Sequence, residues 1–193
     1  MEGSPTAARG RLIEATGRGE MNVAEVIADY FRGEKSEAAL ILLAGALSLV
    51  AALWLWFSVR EPFARGLAAS LLLTAALGLG VGGGVYFRTD AQVARLQQLQ
   101  QSDAAGFAAQ EGPRIRQVIK SFGIYRLCYA AAVLIALLFV FVLGKPLFHG
   151  LAVGLLILAA LGLTIDHYAE ARAVRYLEGL ETAGLLSAPL RSK

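Results

Sequence analysis

The chain has 193 residues, of which 56% are hydrophobic and 17% are charged, with a formal net charge of +3. Soluble domains are usually ~45–50% apolar and ~25% charged, so this composition excludes a disordered or collagen-like chain and favours a membrane protein. Because the chain has one cysteine, it cannot be an intrachain disulfide scaffold either.

The first 20 residues are predicted to form a disordered tail. They combine arginines and glutamates with Gly, Ala, Thr and Ser, and they lack the apolar stretch of a signal peptide. Met21 follows this tail directly, and Asn22 is a candidate cap for the next helix. Translation from Met1 and translation from Met21 both remain compatible with this pattern.

Four long apolar segments predict four transmembrane helices. A helix rises ~1.5 Å per residue and the hydrocarbon core is ~30 Å thick, so about 20 residues are enough to cross it. The third segment is the shortest, and it is extended past Arg126, whose side chain can reach the headgroup region. The predicted spans are residues 38–59, 66–87, 124–144 and 146–166.

The positive charges are distributed unevenly between the connecting segments. Fifteen of the 18 Lys and Arg residues lie before the first span, within residues 88–126, or after the fourth span. The positive-inside rule therefore places both termini and the central segment in the cytoplasm, and the turns near Pro62 and Pro146 outside. We therefore expect the protein in a bacterial cytoplasmic (inner) membrane. This asymmetry accounts for the net charge, so a nucleic-acid partner is not predicted.

The two halves of the chain resemble each other. Residues 65–79 and 149–163 agree at ten of fifteen positions at an offset of 84. Beyond the spans the match continues at an offset of 81, with a slip of three residues in the glycine-rich part of the second span. These matches predict a tandem duplication whose halves share one orientation and are related by a pseudo-twofold axis along the membrane normal.

The predicted fold is all-α, a polytopic bundle of two tandem α-hairpins with cytoplasmic helical extensions. Each repeat contains two spans and a cytoplasmic extension, and the first begins with an amphipathic helix. The domains are a tail at 1–20, a first repeat at 21–101, a linker and interfacial helix at 102–123, a second repeat at 124–183 and a flexible tail at 184–193.

The segment between the repeats offers two interpretations. Ser102 is a candidate helix cap, and Gly112 with Pro113 is expected to break that helix. Arg114 then opens a second helix with an apolar side that carries Ile115, Val118, Ile119 and Phe122. This helix is expected either to lie on anionic lipid or to pack on the two extensions as a cytoplasmic layer.

The two extensions carry apolar residues at every third position. Exposed apolar stripes usually mark a partner surface, so these residues are candidates for one. They are Val93, Leu96, Leu99, Val174, Leu177 and Leu180.

The glycines of the second span are predicted to pack helices. Gly78 and Gly82 are four residues apart, and so are Gly80 and Gly84, which gives two ridges of close approach. Their G-x-G-x-x-G pattern lacks the strand–turn–helix context of a dinucleotide site. A kink or an ion site in a discontinuous helix is the alternative.

Polar side chains cluster at the inner end of the fourth span. Asp166, His167, Glu170 and Arg172 form a candidate polar cluster, either as ordinary boundary residues or as a proton relay or metal site. His149 and His167 are ~27 Å apart along one helix and cannot share a metal. We predict no catalytic residue, no cofactor and no metal, and hence no enzyme.

The functional prediction is a non-enzymatic accessory, scaffold or partner-binding module that acts through its cytoplasmic helices. Its expected partners are the lipid bilayer and a protein, either another chain or a second copy. The alternative is a small channel or transporter subunit that conducts as an oligomer, lined by Ser48, Ser70 and Thr74.

Overall fold

The computed structural model describes residues 23–186, which form four long helices with short connections. A π-helical turn, Phe139–Leu143, continues α3. The helices are α1 Val23–Ser58, α2 Pro62–Ser102, α3 Ala104–Leu138 and α4 Pro146–Thr182. All four are long and apolar enough to cross a membrane, which confirms the all-α prediction with four candidate spans. The predicted tail at 1–20, and most of that at 184–193, lie outside the described residues.

Proline and glycine set the helix ends at the two turns. Pro62 and Pro146 each stand in the first turn of a helix, where a missing N–H costs nothing and φ is already helical. Gly144 ends the π-helical turn with φ at 60°, in the left-handed region that glycine adopts without strain. We call this end of the bundle the turn end.

The connection between α2 and α3 differs from the sequence prediction. Ser102 is the last residue of α2, and Asp103 caps α3 by accepting a hydrogen bond of 2.8 Å from the Gly106 N–H. The expected break at Gly112 and Pro113 is wrong, because Pro113 lies inside the continuous α3. Gly112 is buried and packs against Leu186, so tertiary contacts hold the helix together where local propensity predicts an end.

The packing order of the helices differs from their chain order. α1 packs along α2, α2 packs on α4, and α4 packs on α3. Within the described chain, no Cα atom of α1 comes within 8 Å of a Cα atom of α3. The centre of the bundle is therefore the α2–α4 pair, and the outer helices flank it.

The α2–α4 pair makes a reciprocal close contact at the turn end. A Cβ atom added to Gly66 would lie 2.0 Å from the Leu147 carbonyl oxygen. A Cβ atom added to Gly150 would lie 2.0 Å from the Phe63 carbonyl oxygen. Only glycine permits this backbone approach. The two contacts are equivalent, since both the glycines and their contacts are 84 residues apart.

Burial follows the same spacing along all four helices. Four of the six buried positions of α1 recur in α3, and six of the ten buried positions of α2 recur in α4, 84 residues later. The pairs buried on both sides are Ile27/Glu111, Phe31/Ile115, Ala38/Phe122, Ala52/Ala136, Gly66/Gly150, Ala68/Ala152, Ser70/Gly154, Ala75/Ala159, Thr89/Ala173 and Leu96/Leu180. Corresponding faces of the two halves are therefore turned inward.

Opposite the turn end, the helix extensions pack into one compact layer, which we call the head (residues 23–37, 88–123 and 167–186). α4 continues to Thr182 and α2 to Ser102, close to the predicted limits. All four helices contribute to the apolar core of the head. Its buried residues are Ile27, Tyr30, Phe31, Leu96, Phe107, Ile115, Phe122, Ala173, Tyr176, Leu180 and Leu186.

This core corrects the predicted partner surface. Leu96 and Leu180 are buried in it. Val93, Leu99 and Leu177 pack against it, and Val174 is half-buried. The stripes look exposed when each extension is considered alone, but the beginnings of α1 and α3 cover them. The six residues therefore stabilise the head and present no continuous apolar surface to another chain.

Candidate functional site

Of the two predicted glycine ridges, one makes close contacts within the chain. A Cβ atom on Gly78 would lie 2.9 Å from the Gly45 Cα atom, and one on Gly82 would lie 3.0 Å from the Ala38 carbonyl oxygen. A Cβ atom added to Gly80 or Gly84 would have no neighbouring atom within 4 Å. Packing through Gly80 and Gly84 is therefore not observed, because residues two positions apart face nearly opposite sides of a helix. The helix stays regular across these four positions.

The predicted polar cluster divides between different neighbours. Glu170 accepts a hydrogen bond of 2.6 Å from Arg126 of α3. Arg172 donates to Glu37 of α1. These residues therefore belong to separate ion pairs that join α4 to the two outer helices, and they do not form a common site.

His167 is exposed and its ring lies beside Tyr168. Within residues 23–186, no group of three or more His, Cys, Asp or Glu side chains is placed to hold a metal ion.

A cleft of about 470 Å³ opens between α1 and α3 in the half of the bundle nearer the head. It exists because these two helices do not approach each other. The residues that line it are Ile41, Ala44, Gly45, Thr74, Leu77, Gly78, Val81, Tyr125, Cys128, Tyr129, Ala132, Leu158, Leu161, Gly162, Ile165 and Asp166. Its walls are predominantly apolar, as is usual for sites that bind small molecules.

One tyrosine lies between α3 and α4 beside the cleft. In the first half, Gly45 meets Gly78 backbone to backbone, so α1 lies directly on α2. The residue 84 positions after Gly45 is Tyr129, and its ring lies against Gly162. A Cβ atom on Gly162 would be 2.4 Å from that ring. The tyrosine therefore acts as a spacer between α3 and α4, and the cleft forms beside it.

The charged group of the cleft lies at its end nearer the head. The Tyr129 hydroxyl approaches the Asp166 carboxylate. The Asp166 Oδ2 atom is buried and has no hydrogen-bond partner. At the far end, the Thr74 hydroxyl donates to the Ser70 carbonyl oxygen at 3.1 Å. The cleft thus has an apolar length and one carboxylate with unused hydrogen-bonding capacity.

Sequence reasoning missed a second polar arrangement, inside the head. Glu111 is 1% exposed and accepts two hydrogen bonds from Arg114, at 2.7 and 2.5 Å. The Tyr176 hydroxyl donates to the same carboxylate at 3.0 Å. The Arg114 guanidinium also lies over the Tyr30 and Phe31 rings. The spacing of Glu111 and Arg114 on one helix face was the available signal.

Burial dominates the electrostatics of this arrangement. Burial raises the pKa of Tyr30 to about 12 and raises the pKa of Tyr176 further. Burial also raises the pKa of Glu34, although Arg88 opposes this effect. Both tyrosines stay protonated at physiological pH; Tyr176 donates to Glu111, and the Tyr30 ring stacks on the Tyr176 ring.

No protein-family model, no curated protein and no solved structure matches this chain. The described residues therefore define a class only. The described part of the chain is all-helical, with four helices of the length and composition that cross membranes, and a largely apolar cleft opens between them.

Proposed function

We propose that the chain is an integral protein of a bacterial cytoplasmic membrane, with the head and both termini in the cytoplasm. The excess of Lys and Arg on the head side supports this orientation. Exposed aromatic side chains also occur near both ends of the apolar region, where they suit the membrane interfaces. They include Trp54, Trp56, Phe57 and Phe63 towards the turn end, and Phe87, Tyr125 and Tyr168 towards the head.

We further propose that the two halves are tandem repeats forming a pair of α-hairpins. The reciprocal contacts of Gly66 and Gly150 support this arrangement, and so does the recurrence of buried positions after 84 residues. The burial of Leu96 and Leu180 supports one constant offset. The two repeats therefore correspond at an offset of 84 throughout, without the slip of three residues that sequence matching alone suggested.

Reporter fusions test orientation and repeat together. Fusions at Gln100 and at the C-terminus are expected to report the cytoplasm, because each repeat crosses the membrane twice. A fusion after Glu61 is expected to report the opposite side. A periplasmic signal at Gln100 would contradict the number of spans and the parallel repeat at once.

We propose that the protein acts without catalysis, as an accessory or binding protein, and that its binding site is the cleft between α1 and α3. The observation that carries this proposal is a cleft of about 470 Å³ that the protein's own side chains leave open. Small-molecule sites typically measure ~300–1,000 Å³ and are mostly apolar. The apolar stripes of the head are already packed, so they no longer support a partner surface.

The alternative of a pore receives less support. Of its candidate lining residues, Ser70 and Thr74 are buried and Ser48 is half-buried. The Ser70 hydroxyl donates to the Leu151 carbonyl oxygen at 2.9 Å, and the Thr74 hydroxyl is bonded within its own helix. Hydroxyls that satisfy backbone groups in a helix contact are not free to replace the hydration of an ion.

Filling the cleft tests the binding site. Ala132 lines the cleft, whereas the adjacent Ala131 is exposed on the outside of α3. We expect the wild-type protein, extracted in mild detergent, to retain a non-covalent small molecule in native mass spectrometry. Ala132→Phe is expected to lose this molecule, because the ring occupies its space. The matched variant Ala131→Phe is expected to keep it.

Both variants must run as the wild type in gel filtration for this comparison. Equal retention by both phenylalanine variants, or an empty wild-type protein that takes up no added lipid, would contradict binding in the cleft.

A further inference from the structure

We infer that the cleft accepts an amphipathic amine, with its apolar chain along the cleft and its ammonium group at Asp166. This inference rests on the proposed function and adds the chemical class of the ligand. It depends on the length of the cleft, on the charge at its polar end and on the departures of the second half from the first.

The length of the cleft fits a chain better than a protein helix. Its α4 wall runs from Leu158 to Asp166, which is ~12 Å along the helix axis. That is close to one leaflet, half of the ~30 Å hydrocarbon core. A transmembrane helix of a partner is ~10–12 Å wide and crosses both leaflets, so it would extend beyond the cleft along most of its length. An acyl or alkyl chain needs only the cleft itself.

The charge at the polar end favours a cation. Arg126 is paired with Glu170, and Arg172 is paired with Glu37. None of the ion pairs in the described part of the chain includes Asp166. Its carboxylate has a buried oxygen without a donor, and rotation about its Cβ–Cγ bond is soft enough to present either oxygen to a ligand. An ammonium group supplies both the missing charge and the missing donors.

The polar end is also where the second half departs from the first. The first half has small or aliphatic residues at the corresponding positions, as close helix packing requires. The pairs, 84 residues apart, are Ile41/Tyr125, Ala44/Cys128, Gly45/Tyr129 and Gly82/Asp166. All members of these pairs except Gly82 line the cleft. Tyr129 spaces α3 from α4, whereas that packing does not require the other three second-half side chains, so their concentration at one opening points to a ligand.

Amine recognition is tested by comparing ligands with identical chains whose headgroup nitrogen is either a free cationic amine or a blocked, uncharged amide. The probes are a phosphatidylethanolamine and its N-acetylated form with identical chains, each added to delipidated protein and measured by native mass spectrometry. We expect about tenfold tighter binding of the free amine, the size of one charge-assisted hydrogen bond. In parallel, dodecylamine is compared with dodecanol. A preference for the amine in this pair but not in the lipid pair would indicate a soluble amphipathic amine, whereas a preference in the lipid pair alone would indicate a lipid headgroup.

Two variants localise the effect. Asp166→Asn keeps the shape of the side chain and is expected to abolish the amine preference while chain binding remains. Glu178→Gln, at an exposed position of α4 outside the cleft lining, leaves the Arg126–Glu170 pair intact and is expected to keep the preference. The wild-type comparison decides the question even if Asp166→Asn does not fold.

The outcomes separate this inference from the proposed function. If amine and neutral probes bind equally, but Ala132→Phe still abolishes binding, the amine inference is wrong and the cleft remains a binding site. If Ala132→Phe has no effect on any probe, both are wrong. A preference for the amine that Asp166→Asn leaves intact would also overturn the inference.

Discussion

Replacing Gly66 or Gly150 with alanine is expected to destabilise the bundle by about 3 kcal/mol or more, at or above the upper end of the ~1–3 kcal/mol typical of overpacking. The added methyl group would meet a carbonyl oxygen at 2.0 Å in each case. Backbone atoms of two long helices cannot move aside as a flexible side chain can, so α2 and α4 would have to separate. The measurement is the midpoint of thermal unfolding, followed by circular dichroism in detergent.

Gly80 provides the matched control, since it lies in the same helix and has open space around its Cα atom. Gly80→Ala is expected to stabilise the helix by up to ~1 kcal/mol, because alanine has the higher helix propensity. The two substitutions are chemically identical, but they are expected to change the stability of the bundle in opposite directions. If Gly66→Ala and Gly80→Ala shift the midpoint equally, the close α2–α4 contact is not present in the folded protein.

The second large effect is expected in the head. Arg114→Met removes the partner of Glu111, a carboxylate that is 1% exposed and has Tyr176 as its other donor. Leaving a buried charge without its partner typically costs ~3–5 kcal/mol. We expect a loss of stability in that range, measured by chemical unfolding of the head with tyrosine absorbance as the signal.

An exposed pair with the same sequence spacing is the control. Arg32 and Asp29 are also three residues apart, but their side chains are 77% and 64% exposed. Arg32→Met is therefore expected to change stability by no more than ~0.5 kcal/mol. Adding Glu111→Leu to Arg114→Met should recover much of the lost stability, since the uncompensated charge is gone. No recovery in the double variant would mean that packing of the Arg114 side chain, and not the charge, carries the effect.

The helices themselves could be predicted because each depends on its own segment. An uncharged stretch of about 20 residues has one favourable arrangement in a bilayer. The prolines at the turns and the helix-forming residues after Asp166 act through local geometry, so α4 ends at Thr182, next to the predicted end of the second repeat at residue 183. Propensity was a weaker guide at Pro113, where packing of the neighbouring residues keeps α3 continuous.

The surfaces could not be predicted, because they depend on segments far apart in the chain. A periodic stripe such as Leu96 and Leu99 shows that a face is apolar, but only the assembled head shows that α1 and α3 cover it. The spacing of Gly78, Gly80, Gly82 and Gly84 predicts two ridges equally well, and the neighbour on one side decides which one packs.

For this protein, the sequence alone determined the helical class, the four candidate spans and the asymmetry of charge. These properties follow from hydropathy and charge, which belong to single segments and their solvent. Only the tertiary structure decided that the predicted partner surface is a core, that Glu111 and Arg114 are buried together, and that a cleft opens beside Tyr129. These features depend on which backbones approach within contact distance. In this bundle, Gly45 lets α1 lie directly on α2, whereas Tyr129, 84 residues later, spaces α3 from α4.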